Sequence, residues 1–309
     1  MSLIMKEKVI FLAGPTAAGK SEAAVYLAQK TRGEIISCDS MQVYKGMEII
    51  SSQPADRLKK KIPHHLIGIV SPEKEYNASK YRDQALKKVR EIISKDKLPI
   101  FAGGTGLYMS VVIDGIFKLK SEDRLIRQKL YREAERSGSH QLYHRLKKID
   151  PEAALKIHPN DLRRIVRALE VFEVTGKQIS LLQRRRKGMI DKYEVKIFCL
   201  RMQRDELNQR IEERIKEMFK NGLLDEVKEL LKLKLSRTAG LAIGFRELKG
   251  YLNGEYDFQE ARRQMIHNTQ SYAKRQMTWF RKDKRIKWID IKNGQKAQEA
   301  AQKIWRELY

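Results

Sequence analysis

"VIFLAGPTAAGKSEAAVYLAQK" (residues 9–30) is the stretch from which the fold follows. Residues 9–13 are an unbroken apolar run of strand type, and residues 21–30 are rich in helix formers. Between them Gly14, Gly19, Lys20 and Ser21 occupy every fixed position of the spacing G-x-x-x-x-G-K-[ST]. The glycines let backbone N–H groups turn inward around an anion, and the following helix adds the partial positive charge of its N-terminus. The loop Gly14, Pro15, Thr16, Ala17, Ala18, Gly19, Lys20 and Ser21 is therefore expected to cradle phosphate. Lys20 belongs on the terminal phosphates and Ser21 on a magnesium ion, Mg2+. The loop alone does not say whose phosphate it holds.

Beyond this unit, short apolar runs alternate with helical patterns. "EIISCD" (34–39), "HLIGIV" (65–70) and "LPIFAGG" (98–104) are candidate strands. Tyr81, Ala85, Val89 and Ile92 recur at helical spacing between the last two. Continuous apolar strands alternating with helices predict an α/β fold, a parallel sheet covered on both faces. Such sheets bind ligands at the carboxyl ends of their strands. From about residue 120 the chain becomes charge-dense and helix-forming, which predicts an α-helical insert with one helix capped by Asn160 and stopped by Gly176. "VKIFCLRM" (195–202) reads as a returning strand, Asp205 as the cap of the next helix, and "KWIDI" (287–291) as a last strand before a terminal helix. The expected domains are 1–119, the first part of the core; 120–192, the helical insert, which contacts RNA; and 193–309, the second part of the core with C-terminal helices.

The charge balance narrows the partners. Lys and Arg number 64 against 39 Asp and Glu, a formal charge of +25, and such an excess attracts polyanions, nucleic acid ahead of acidic membrane. Cys38 and Cys199 lie in apolar, strand-like runs without metal-ligand spacing, so buried thiols in a reducing cytosol are expected, and with them a cytoplasmic location. No stretch approaches the roughly 20 apolar residues of a membrane span. "MSLIMKEK" is too short and too charged for a secretory signal, and Met5, after "MSL" (Met1–Leu3), reads as the natural start.

Several further segments carry chemistry. In "SCDSMQVYKG" (37–46) Asp39 emerges at the carboxyl end of the second strand, on the rim of the phosphate loop. Three roles compete for it: a helix N-cap, a magnesium ligand, or a carboxylate that takes a proton from an attacking group. "AGGTGLY" (102–108) is a second glycine-rich loop, expected to let a ligand approach the backbone while Thr105 offers a hydroxyl. Arg163, Arg164 and Arg167 flank an apolar stripe of Leu162, Ile165, Leu169 and Phe172, either as phosphate forks or as a solvated basic face. Arg214 is spaced with Ile211 and Met218, half-buried and aimed at something anionic. "SYAKRQMTWFRKDKRIKW" (271–288) interleaves Tyr272, Trp279, Phe280 and Trp288 with Lys and Arg, and "RRRK" (184–187) adds a second basic cluster. The aromatics serve either as core or as platforms for bases, and the cations as phosphate contacts.

Taken together, "GPTAAGKS", "DSMQVYKG", "AGGTGLY", "NDLRRIVRALEVFEVTGK" and "YAKRQMTWFRK" occur in the order found in bacterial tRNA dimethylallyltransferases, the IPP transferase (tRNA isopentenyltransferase) family. The sequence resembles that family from about residue 8 to 290. The resemblance implies a P-loop NTPase/kinase-like parallel-sheet core with an α-helical insert. It implies transfer of the dimethylallyl group from dimethylallyl diphosphate to N6 of adenosine 37 in the anticodon loop of tRNA. The phosphate loop then holds the departing diphosphate, with Mg2+ as cofactor. Asp39, Thr105 and Arg214 become the catalytic set. Asp39, Ser40, Met41, Gln42 and Arg163, Arg164, Ile165, Val166, Arg167 become the tRNA contacts. A monomer without membrane association is expected. Two other classes stay open on the residues alone: an ATP-dependent kinase of a nucleotide or RNA end, which shares core and loop, and a non-catalytic RNA-binding protein.

Overall fold

The computed structural model describes residues 6–117, 124–292 and 294–308; the expected start at Met5 and the expected boundary at 119–120 lie outside them. Six strands, β1 (Lys8–Ala13), β2 (Gly33–Ser37), β3 (His64–His65), β4 (Leu98–Gly103), β5 (Glu194–Arg201) and β6 (Ile286–Asp290), form one sheet in the order β3-β2-β4-β1-β5-β6. Every pairing is parallel. A parallel sheet needs cover on both faces, and the side-chain alternation of β1 supplies it. Ile10 and Leu12 join a cluster with the helices Lys20–Thr31 and Ala297–Arg306, through Ala24, Leu27, Ala301 and Ile304. Phe11 alternates to the other face and stacks on its register partner Phe101, ring centroids 4.3 Å apart and 1° from parallel.

The strand order positions the site. From β1 the chain moves to one side for β2 and β3, returns to insert β4 beside β1, then crosses to the other side for β5 and β6. Strand order thus reverses at β1, where α/β sheets open a crevice at their carboxyl ends. The register Ala13↔Gly103 and Ser37↔Ala102 ends β1, β4 and β2 level with one another, so the loops that follow them emerge side by side.

Two details depart from expectation. Of the segment expected at 65–70 only His65 pairs with β2, joined by His64 just before it. Leu66 and Gly68 then adopt φ of 61° and 57°, which leaves the extended region, and Gly68 and Ile69 donate to Gln42 and Val43 instead. The segment's remainder pairs with the loop after β2. Asp205 is not the cap of its helix: Arg204–Lys220 starts two residues earlier than expected, with Gln203 at the N-cap, and Asp205 sits in the first turn, where its charge complements the dipole.

The chain divides into two compact units, one of residues up to Ile113 and from Met189 onward, the other Asp114–Gly188, against an expected insert of 120–192. The turn Met189–Asp191, with Met189 buried, goes with β5. The smaller unit is helical among its described residues: Arg124–Ser137, Ser139–Ile149, Pro151–Lys156, Leu162–Thr175 and Ile179–Arg184. Leu130, Leu142, Leu146, Ile165, Leu169 and Val171 form its core. Glu170 is fully buried in it, and a buried carboxylate persists only when paired. Arg127 grips it through Nε and Nη2 at 3.2 and 2.9 Å, and Arg167 adds Nη1 at 3.0 Å. No helix among the described residues is long and apolar enough to cross a membrane.

Gly176, at φ 66°, stops the helix Leu162–Thr175 as expected, but the cap at its other end is Asp161, not Asn160. The Asp161 carboxylate accepts from the Arg164 N–H at 3.2 Å, which satisfies one of the helix's open donors. Asp161→Ala is expected to cost about 1 kcal/mol in a urea titration and Asn160→Ala about 0; the reverse ranking contradicts the assignment.

Candidate functional site

The phosphate loop leaves β1 at Gly14 and becomes helix at Lys20. Gly19 occupies the N-cap with φ 78° and brings no side chain to cap the helix, so the first-turn N–H groups stay available to an anion. Lys20 folds back over the loop, its Nζ donating to the Pro15 carbonyl at 2.6 Å. Burial, and then the neighbouring Arg214, push the Lys20 ammonium down to about 8 from its usual 10.5, with Asp39 pulling weakly the other way.

Arg214, on the helix Arg204–Lys220, completes this cationic corner. Its Nη1 donates to Thr16 Oγ1 and its Nε to Ser52 Oγ, both at 2.9 Å. Burial lowers its pKa as well, and the first charge that opposes this is Asp39. Ser52 is in turn held by the chain around it: the Glu226 carboxylate accepts the Ile49 and Ile50 N–H groups at 2.8 Å each. Neither Ser52 nor Glu226 carried a signal in the sequence, because each acts through backbone far along the chain.

Asp39 follows β2, partly buried, and its Oδ1 accepts the Met41 N–H at 2.9 Å. That bond closes a turn, not a helix, so the helix-cap role falls away. Thr105 ties this segment to the loop after β4: its Oγ1 accepts the Ser40 N–H at 3.1 Å and its own N–H donates to the Cys38 carbonyl at 3.2 Å. Gln42 braces the same segment, accepting from Ser37 Oγ at 2.8 Å and donating to the Ser52 carbonyl at 3.0 Å. Burial raises the Cys38 thiol to about 12, so it stays protonated and inert. The structure therefore brings together the loop 14–21, Asp39–Gln42, Thr105 and Arg214.

The glycines of "AGGTGLY" have a different purpose from the one expected. A Cβ on Gly103 would lie 2.1 Å from the Cys38 carbonyl oxygen, one on Gly104 2.0 Å from Gln276 Nε2, and one on Gly106 2.3 Å from the Trp279 indole. They admit protein backbone and side chains. Two of these neighbours sit on the long helix Phe258–Phe280, whose face of Tyr272, Gln276 and Trp279 follows the i, i+4, i+7 spacing. Gln276 was missed in the sequence. Its Oε1 accepts the Thr16 N–H and its Nε2 donates to the Gly104 carbonyl, each at 2.9 Å. The one available signal was a polar residue in register with the buried Ala273 and Phe280 of the helix. Tyr272 lies beside Thr105; burial, then the Asp39 charge, push its hydroxyl above the usual tyrosine range.

The aromatics divide. Phe280 is core, Trp288 is partly buried under the Arg201 guanidinium at 5.4 Å, and Trp279 is 46% exposed. The seven Lys and Arg of 274–287 are all exposed, as are the four residues of "RRRK" (184–187), where Arg184 pairs with Glu152. Of the expected tRNA-binding set 163–167, Ile165 and Val166 are 0% and 1% exposed in the core of the helical unit and offer RNA no surface. Arg163 and Arg164 are exposed, while Arg167 is engaged by Glu170.

Among the described residues no group of three or more His, Cys, Asp or Glu could hold a metal. Magnesium bound through few protein oxygens and several phosphate oxygens suits such a site, and the Ser21 hydroxyl, in the first turn beside Lys20, is the hard donor that fits it.

Gly103→Ala forces the introduced methyl into the Cys38 backbone, and we expect a loss of about 1–3 kcal/mol in urea unfolding. Gly240→Ala, which meets nothing within 4 Å, should stay within about 0.5 kcal/mol. Equal tolerance at both positions contradicts the close approach.

Comparison with known proteins places the chain among relatives. The IPPT family, IPP transferase, matches residues 42–283. The tRNA dimethylallyltransferase of Carboxydothermus hydrogenoformans is 46% identical over 288 residues, 93% of each chain. The crystal structure of a tRNA isopentenylpyrophosphate transferase from Bacillus halodurans superimposes with a TM-score of 0.72 at 36% identity, covering 98% of this chain and 97% of that one. A eukaryotic dimethylallyltransferase, captured crystallographically acting on tRNA, gives a TM-score of 0.81 at 31% identity, covering 95% of this chain and 77% of its own. The chain belongs to the IPP transferase family of enzymes.

Proposed function

We propose that this chain is a tRNA dimethylallyltransferase, which moves the dimethylallyl group of dimethylallyl diphosphate to N6 of adenosine 37 in the tRNA anticodon loop, leaving diphosphate. The observation that carries the proposal is Asp39 within the field of two cations gathered at the loop, Lys20 and Arg214, in a chain of this family. A phosphate loop alone suits ATP equally well, and family membership favours the prenyl donor over the kinase alternative.

The chemistry asks for two things at once. An allylic carbon is open to attack only if its diphosphate departs, and negative charge grows on that group as the carbon–oxygen bond breaks. Lys20, Arg214 and the first-turn N–H groups meet this charge where it develops, in partly dehydrated surroundings that strengthen the interaction. Magnesium bound at Ser21 would supply further neutralisation of the same charge. On the other side, the N6 lone pair forms the new carbon–nitrogen bond, and the nitrogen must shed a proton. Asp39 accepts it, its carboxylate kept in place by the Met41 N–H, while Thr105 holds the neighbouring Ser40.

Reaching this site obliges the base to leave its stack. Trp279, exposed over Gly106, and the cations of 274–287 are suited to stacking and to phosphate contact. Arg163 and Arg164 add phosphate contacts on the helical unit. We read the chain as a monomer working in the cytoplasm, where its tRNA substrate is.

Asp39→Asn keeps the size of the side chain and removes the proton acceptor. Turnover with tRNA and dimethylallyl diphosphate is expected to fall by about 10²-fold or more, while tRNA affinity stays within about threefold. Unchanged turnover removes Asp39 from the mechanism.

A further inference from the structure

Three pieces of chain must keep a fixed spacing at the rim of the sheet: the loop 14–21, the segment 38–42 and the loop 103–106. Each leaves a different strand, and each has soft backbone dihedrals of its own. Thr105 links the second piece to the third. Gln276 links the third to the first, through Gly104 and Thr16. The side chain that does so is 5% exposed and sits within a 23-residue helix, a stiff mount. Its place is built on both sides: the absent Cβ of Gly104 leaves room for the amide, and the Thr16 N–H donates to it.

An amide is the chemical requirement here. Gln276 must accept at one end and donate at the other, which no carboxylate and no apolar side chain of that length can do. Gln276 meets Thr16 at its N–H, while Arg214 is anchored on the same residue's Oγ1 and on Ser52, and Lys20 on the Pro15 carbonyl. We propose that Gln276 is a positioning residue for the transfer. It sets the distance between the diphosphate loop and the Asp39 segment, and so between the departing oxygen and the proton acceptor. This rests on the function proposed above. Attack at carbon with simultaneous loss of diphosphate is sensitive to alignment, and a misplacement of about 1 Å costs about 10²-fold in rate.

The test compares the wild-type chain, Gln276→Met and Gln276→Glu, with steady-state transfer from dimethylallyl diphosphate to tRNA measured between about pH 6 and pH 8. Gln276→Met loses both hydrogen bonds, and kcat is expected to drop about 10²-fold at every pH while KM for the diphosphate moves less than about threefold. Gln276→Glu keeps the acceptor for Thr16 but can donate to Gly104 only when its carboxyl is protonated, which burial favours. Its kcat, taken as a ratio to wild type at each pH, is expected to climb about tenfold from pH 8 to pH 6. Recovery with acid distinguishes a restored hydrogen bond from a misfolded variant, which acid does not repair. Turnover of Gln276→Met within about threefold of wild type overturns the proposal, as does a Gln276→Glu ratio that stays flat with pH, or a loss confined to KM. Failure of the wild-type chain to prenylate tRNA overturns the transfer reading itself and is seen before any variant is compared.

Discussion

Two cations share one loop, and the rest of the site is arranged around that cost. Lys20 and Arg214 are both desolvated, Arg214 further lowers the affinity of Lys20 for its proton, and among the described residues neither lies within ion-pair range of a carboxylate. With the Lys20 pKa drawn down toward 8, the unfolded chain binds more protons than the folded one between there and the usual 10.5. The penalty to folding is therefore fully present below about 8 and fades as pH rises through that window. A bound polyanion removes it by supplying the missing countercharge. The site is thus destabilised until it is filled, which is the arrangement expected where negative charge must be welcomed as it forms.

The same constraint explains the surrounding polar framework. A strained cationic loop holds its shape only if its backbone is fixed from outside. Arg214 reaches Thr16 from one side with Ser52 as its second anchor, and Glu226 holds the chain that carries Ser52. Gln276 reaches the Thr16 N–H from the long helix. On the acceptor side, Thr105 and Gln42 hold the backbone on which Asp39 stands. None of these bonds is strong alone, at about 1 kcal/mol net, but together they leave the loops little freedom to drift.

How much of this could be read from residues alone follows from the range of each interaction. β1, the loop 14–21 and its helix were legible because the motif is local: strand, turn and helix lie within about 25 residues and each announces its own period. β2, β4 and β5 were legible because strands buried on both faces are continuous apolar runs. β3 was overextended, since whether the chain at 66–70 pairs with β2 or with the loop beyond it depends on two left-handed residues that leave no hydrophobic signature. Asn160 and Asp161 are both good caps, and only geometry chooses between neighbours. Ile165 was legible in the apolar stripe, whereas Val166 sits between it and Arg167 in sequence, and its burial is decided by helices packed from elsewhere in the unit. Gln276 was hidden for the plainest reason: its bond to Thr16 spans 260 residues, and a contact of that range between a side chain and a backbone amide has no periodicity to detect.

The account stands or falls on what leaves the loop. Incubation of the chain with bulk tRNA, magnesium and both dimethylallyl diphosphate and ATP, followed by mass analysis of the digested nucleosides, reads this directly. The account predicts adenosine carrying a dimethylallyl group, with diphosphate released in equal amount and ATP untouched. A phosphorylated nucleotide or RNA end formed with ADP, and no prenylated adenosine, contradicts it.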